Sequence, residues 1–197
     1  MLGVLFSVIL LAESALVNIQ DVAPGIRLDI RYATARNFTG TKLYEEAACY
    51  LRAPAARALA AAQRELEKQG LGLKIYDCYR PLSVQRKLWK LVPDERYVAN
   101  PEKGSRHNRG AAVDLTLVDR NGRELPMPTE YDDFSERAHR NYNALPESVI
   151  RNRALLEDLM RRHGFEPLPT EWWHFDFTGW EQYPPEDVPF SELKKKQ

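Results

Sequence analysis

Residues 102–118, E-K-G-S-R-H-N-R-G-A-A-V-D-L-T-L-V, change character at Gly110. Glu102–Gly110 is polar and irregular, whereas Ala111–Val118 reads as a core strand and is the most hydrophobic strand candidate in the chain. Asp114 stands inside that strand between Val113 and Leu115, where a carboxylate without partners would cost several kcal/mol. Gly110 permits a sharp turn, so a loop His107 can fold back beside Asp114. The segment therefore predicts a buried strand with a polar site at its beginning.

Working outward, Ile26, Leu28 and Ile30 alternate with Arg27, Asp29 and Arg31, the period-2 pattern of a half-buried strand over Ile26–Tyr32. Asn37–Thr41 reads as a turn or loop. A helix is expected from Pro54 to Gln69, with Pro54 at its first position, Gly70 beyond its end and Ala55, Leu59, Ala62 and Leu66 on one face. Lys74–Tyr79 is a short strand ended by Arg80-Pro81, and a second helix covers Leu82–Leu91. Asn121-Gly122 marks a turn before Leu125. A third helix spans Glu147–His163, stopped by Gly164, and Glu171–Phe177 (E-W-W-H-F-D-F) is an aromatic strand. Strands and helices are interspersed without regular β-α-β alternation, which favours α+β in a single domain.

The 197 residues suit one domain and carry enough apolar material for a core without staples. Lys plus Arg and Asp plus Glu are each 28, giving a formal net charge of zero. A nucleic-acid partner, which selects for a basic surplus, is not expected. Neither is an anionic membrane surface, and no window is apolar for long enough to span a bilayer. Leu2–Ala12 is an apolar run followed by the small residues Ala12, Ser14 and Ala15. It reads as an export signal cleaved after Ser14, leaving 15–197 as the domain and placing the protein in the periplasm or outside the cell. No Lys or Arg precedes Arg27, so a buried N-terminal element, a misplaced start and a cytoplasmic location stay open. Cys49 and Cys78 are too few for a disulfide scaffold; they pair in an oxidising compartment or remain two buried thiols.

His174, between Trp173 and Phe175, is a second polar residue in an apolar strand. With His107 and Asp114 it makes two imidazoles and one carboxylate, a set suited to one catalytic zinc ion with an open fourth position. Glu171, three residues before His174, is placed to take a proton from activated water, and Arg80 to stabilise charge on a carbonyl oxygen. Each residue also has an ordinary reading: His174 as a hydrogen-bonded core histidine, Asp114 as a turn cap or ion-pair partner, Arg80 as a structural ion-pair partner. His139 and His163 read as surface or helix-end residues.

Taken together, these residues resemble a known family. Ser105-Arg106-His107-Asn108-Arg109-Gly110-Ala111-Ala112-Val113-Asp114 is similar to the S-x-H-x-x-G-x-A-x-D signature of zinc D-alanyl-D-alanine peptidases, and Glu171-Trp172-Trp173-His174 to their E-x-x-H element. Tyr32-Ala33-Thr34, Asn37-Phe38-Thr39-Gly40 and Asp77-Cys78-Tyr79-Arg80-Pro81 point to the D-Ala-D-Ala dipeptidases of the vancomycin-resistance type. The resemblance runs from about Asp21 to Tyr183. It implies a central, mainly antiparallel sheet flanked by helices, and zinc held by His107, Asp114 and His174. It further implies Glu171 as general base, Arg80 as oxyanion partner, and Tyr32 and Asp132 as the substrate-ammonium site. Ser105 would contact substrate, with Tyr44 as a further contact once a one-residue gap is allowed. The implied substrate is a small zwitterionic D,D-dipeptide. The competing activities are D,D-carboxypeptidase or L,D-endopeptidase action on peptidoglycan stems, and a noncatalytic zinc-binding cell-wall module. Cys78 stands where resistance-type members often carry Gly, and a Cys49–Cys78 bridge would brace the Arg80 strand.

Overall fold

In the computed structural model, which describes residues 13–195, the elements follow one another in an α+β order. They begin with β1 (Leu16–Asn18), the short helix α1 (Ile19–Val22), β2 (Arg27–Leu28), β3 (Tyr50–Arg52), α2 (Ala53–Glu67) and β4 (Leu71–Asp77). Then come α3 (Leu82–Leu91), β5 (Ala112–Asp119), α4 (Glu147–Arg162), β6 (Phe165–Pro167), β7 (His174–Phe177) and α5 (Phe190–Lys195). Five strands form one sheet in the order β2-β4-β5-β7-β6, antiparallel except for the β2–β4 pair. A separate antiparallel pair joins β1 to β3.

β5 lies at the centre of the sheet, as its composition predicts, and is buried up to Val118. Val113, Leu115 and Leu117 enter the hydrophobic core together with Leu59 and Leu66 of α2 and Leu156 and Leu159 of α4. Asp114 alternates with them and faces the other side. The helices follow their end signals: Pro54 lies in the first turn of α2, and Gly70 and Gly164 adopt positive φ beyond α2 and α4.

Two strands are shorter than their patterns predict. Only Arg27–Leu28 of Ile26–Tyr32 pairs with β4, whose register shifts between Ile75 and Asp77. The chain then tightens into a 3₁₀ turn at Arg31–Ala33, which buries Tyr32 and lays the Arg31 guanidinium 4.7 Å above the Tyr76 ring. Similarly, β7 starts at His174. The Trp172 N–H donates to Ala138 O and the His174 N–H to Glu171 O, so Glu171–Trp173 form a turn before the strand. The short β1, β3 and β6 have no alternation long enough to read.

Residues 1–12, which hold the apolar core of the expected export signal, lie outside the described residues. Of the last two residues before the expected cleavage point, Glu13 pairs with Arg57 at 2.5 Å and the Ser14 carbonyl accepts from Arg52. No helix among the described residues is long and apolar enough to cross a membrane.

Cys49 and Cys78 are bonded, with their Cα atoms 5.3 Å apart. Both are buried, and the bond ties the segment entering β3 to the segment leaving β4. Closing a 29-residue separation removes about 3–4 kcal/mol of denatured-state chain entropy. The double variant Cys49→Ser/Cys78→Ser is therefore expected to lose stability of that order in denaturant unfolding, with an unchanged far-ultraviolet spectrum.

Candidate metal and substrate site

The sheet register brings three acid and imidazole side chains into one row. Asp77 of β4 pairs with Asp114 of β5, and Asp114 pairs with His174 of β7. His107 joins them from a 3₁₀ turn, His107–Arg109, closed by Gly110 at φ 66°. The positive φ favours glycine here, and a Cβ would stand 2.2 Å from Leu16 Cδ2, so that side chain would have to shift.

His174 Nδ1 lies 2.9 Å from Asp114 Oδ1 and 3.2 Å from His107 Nε2, and His107 Nε2 lies 3.4 Å from Asp114 Oδ1. Donors about 2.0–2.1 Å from a tetrahedral zinc ion stand about 3.3 Å from one another. The three donors therefore fit such an ion. Their outer partners fit as well. His107 Nδ1 is 2.7 Å from the Cys78 carbonyl, which fixes that nitrogen as the protonated one and frees Nε2. His174 Nε2 is 2.9 Å from Asp176 Oδ1, and the Tyr131 hydroxyl donates to Asp114 Oδ2 at 2.9 Å.

The electrostatics also ask for a cation. Burial acts to lower the His174 pKa, but hydrogen bonds to Asp114 and Asp176 push it up to about 10. Burial acts to raise Asp114, yet His107 and His174 hold it well below the usual carboxylate range. A metal ion held here would have to displace the proton that these contacts favour on His174.

Glu171 approaches the same point from the turn before β7, with Oε2 4.0 Å from His174 Nδ1. Burial raises its pKa, partly opposed by His174. Arg80 is buried and fixed. Nε and Nη2 donate to Asp77 Oδ2 at 3.1 and 2.6 Å, and Nη1 donates to Gln85 Oε1 at 2.9 Å. The Tyr44 hydroxyl, which Asp77 also holds, is a further side-chain partner of the guanidinium.

A cavity of about 110 Å³ joins these groups; Tyr32, Arg80, Ser105, His107, Asp114, Asp132, Glu171 and His174 all line it. Asp132 has φ 63°, the only positive φ at a non-glycine position among the described residues. Its Oδ1 accepts from the Tyr32 hydroxyl at 3.4 Å, while its buried Oδ2 has no hydrogen-bond partner among them. Burial, and then the charge of Asp114, push the Asp132 carboxyl well above its ordinary range. Ser105 Oγ accepts from the His107 N–H at 3.2 Å and retains its own proton for another acceptor.

One expected contact falls elsewhere. Tyr44 does not line the cavity; its hydroxyl donates to Asp77 Oδ1 at 2.6 Å, behind Arg80, because its buried ring packs against Tyr32 and Phe190. Residues absent from the sequence-based site include Asp77, Gln85, Tyr131 and Asp176. Asp176 carried a readable signal, being a second carboxylate in the apolar strand H-F-D-F, two residues from His174 and on the same face.

The family profile of peptidase M15, D-Ala-D-Ala dipeptidase, matches residues 12–193. The D-alanyl-D-alanine dipeptidase of Escherichia coli (strain K12) is 40% identical over 169 residues, covering 86% of this chain and 88% of that protein. The D-alanyl-D-alanine dipeptidase of Enterococcus faecium is 33% identical over 178 residues, covering 80% and 88%. Among solved structures, VanYB in complex with D-alanine-D-alanine aligns with 68% of this chain and 74% of its own at 16% identity and a TM-score of 0.44, too distant to inform the site. The chain belongs to the D-Ala-D-Ala dipeptidase family of peptidase M15 and is an enzyme of that metallopeptidase family.

Proposed function

We propose that the protein is a zinc-dependent dipeptidase that hydrolyses D-Ala-D-Ala to two molecules of D-Ala. The observation that carries this reading is the buried, unpartnered Asp132 Oδ2 in the same small cavity as the His107, Asp114 and His174 donors. An unpaired buried carboxylate oxygen is costly and calls for a cation. A free dipeptide supplies one as its ammonium, close to its only peptide bond.

His107, Asp114 and His174 would hold one zinc ion. When bound, that ion supplies a Lewis acid and lowers the pKa of water to about 7. Asp132 and Tyr32 receive the substrate ammonium and set the position of the peptide carbonyl. Arg80 presents the free edge of its guanidinium to the carbonyl oxygen, where negative charge builds as water attacks. Because Asp77 and Gln85 already hold the guanidinium, little reorganisation accompanies that charge. Glu171 accepts the proton of the attacking water and delivers it to the leaving amine, so one carboxylate serves both halves of the reaction. An acyl group on the substrate nitrogen would remove the ammonium and leave Asp132 unpaired, which selects against longer peptides. The disulfide supports export to an oxidising compartment such as the periplasm.

The deciding experiment is metal analysis together with hydrolysis of D-Ala-D-Ala, L-Ala-L-Ala and a pentapeptide stem ending in D-Ala-D-Ala. About one zinc per chain and preferential cleavage of D-Ala-D-Ala are expected. Preferential release of D-Ala from the pentapeptide would instead identify a carboxypeptidase. Glu171→Gln should keep its zinc and lose about 10²–10⁴-fold in kcat. His174→Ala should lose the metal itself, read by elemental analysis. Asp132→Asn should raise KM for D-Ala-D-Ala about 10–100-fold, the range of a charge-assisted hydrogen bond, with zinc content unchanged.

A further inference from the structure

A zwitterionic substrate needs a cationic partner for its carboxylate, and the cations around the cavity can be counted. Among the described residues that line it, apart from the imidazoles, they are Arg80 and Arg106. Arg80 is neutralised by the buried Asp77 and reserves its free edge for the carbonyl oxygen. Arg106 has no such commitment. Its one ion pair, Nε to Asp176 Oδ2, is 3.5 Å long, and Asp176 already serves His174 Nε2 at 2.9 Å. Arg106 is among the residues that line the cavity, and its side chain is 46% exposed.

The side chain is nevertheless held in place. Its guanidinium carbon lies 4.6 Å from the centre of the Trp180 ring, whose face restrains the plane while leaving N–H edges available. Its backbone is anchored too. The Arg106 carbonyl accepts from the Arg109 and Ala111 N–H groups at 3.0 and 3.2 Å, on the turn that presents His107. Ser105, with a free hydroxyl proton, lies next to it. A neutral donor and a planar cation therefore flank the metal-ligand turn on one side of the cavity lining.

We propose that Arg106 binds the C-terminal carboxylate of the substrate and so selects for a free carboxyl end. This assignment rests on the dipeptidase reading above and adds the group that recognises the second end of the zwitterion. Trp180 and Asp176 position the guanidinium, and Ser105 Oγ adds a neutral hydrogen bond.

The test compares wild type with Arg106→Ala and Arg106→Lys on D-Ala-D-Ala, using the C-terminal amide D-Ala-D-Ala-NH₂ as competitor, with metal content measured for each. Wild type should bind the free acid at least tenfold more tightly than the amide. Arg106→Ala should raise KM for D-Ala-D-Ala about tenfold, leave kcat within threefold, keep its metal and lose the preference for acid over amide. Arg106→Lys should recover part of that preference. A wild-type enzyme indifferent to the amide, or an Arg106→Ala variant that keeps the full preference, would overturn the assignment. Loss of metal from Arg106→Ala would overturn it too, by showing that the residue acts through Asp176 and His174. Calorimetric binding of the two ligands to metal-loaded Glu171→Gln, with and without Arg106→Ala, reads the same preference without turnover. If wild type does not cleave D-Ala-D-Ala, the dipeptidase reading fails, while the calorimetry still decides whether Arg106 selects a carboxylate.

Discussion

Asp114 is a carboxylate in the central strand of the sheet, almost fully removed from water, and much of the neighbouring structure serves to make that tolerable. Its two oxygens are divided between imidazoles on one side and the Tyr131 hydroxyl on the other. The imidazoles are in turn held from behind, His107 by the Cys78 carbonyl and His174 by Asp176. Buried polar clusters of this kind are stable only when each member is satisfied, so fold and site are specified together. The sheet register is part of the same constraint. Sliding β7 by one residue past β5 would replace His174 beside Asp114 with an aromatic side chain.

Asp77 plays the equivalent part for Arg80. One carboxylate accepts from the Tyr44 hydroxyl, the Cys78 N–H and two nitrogens of the guanidinium. Breaking a buried pair of this kind typically costs about 3–5 kcal/mol, because the surviving charge is stranded. The pair thus contributes less as net stabilisation than as a fixed bearing for the guanidinium. Cys78, Asp77 and Arg80 fall within four residues, so the disulfide, the His107 acceptor and the arginine share one short piece of backbone.

Much of this was legible in the sequence because chemistry left polar residues where packing alone would not. Asp114 and His174 interrupt apolar strands, Gly110 announces the turn that returns His107, and Glu171 stands three residues before His174 in a short motif. The helices were legible through Pro54, Gly70 and Gly164, whose backbone preferences act locally. What escaped depends on contacts far apart in the chain. Tyr44 and Asp77 are 33 residues apart, and nothing local to either says that they meet. The alternation over Ile26–Tyr32 describes which side chains face inward, but not that the pairing with β4 ends after Leu28. Glu171–Trp173 has strand-like composition, yet the Ala138 carbonyl draws it into a turn.

The positive φ of Asp132 has a geometrical consequence. Neighbouring residues in extended chain point to opposite sides, but this one dihedral lets both Tyr131 and Asp132 line the cavity. Tyr131 donates to Asp114 and Asp132 accepts from Tyr32, so these two polar contacts at the cavity are joined by a single peptide link of about 3.8 Å between Cα atoms. Covalent geometry, unlike packing, does not loosen with temperature or with substitutions in the surrounding core. One peptide bond thus sets how far apart the two backbones can stand, whatever the softness of the domain that holds them.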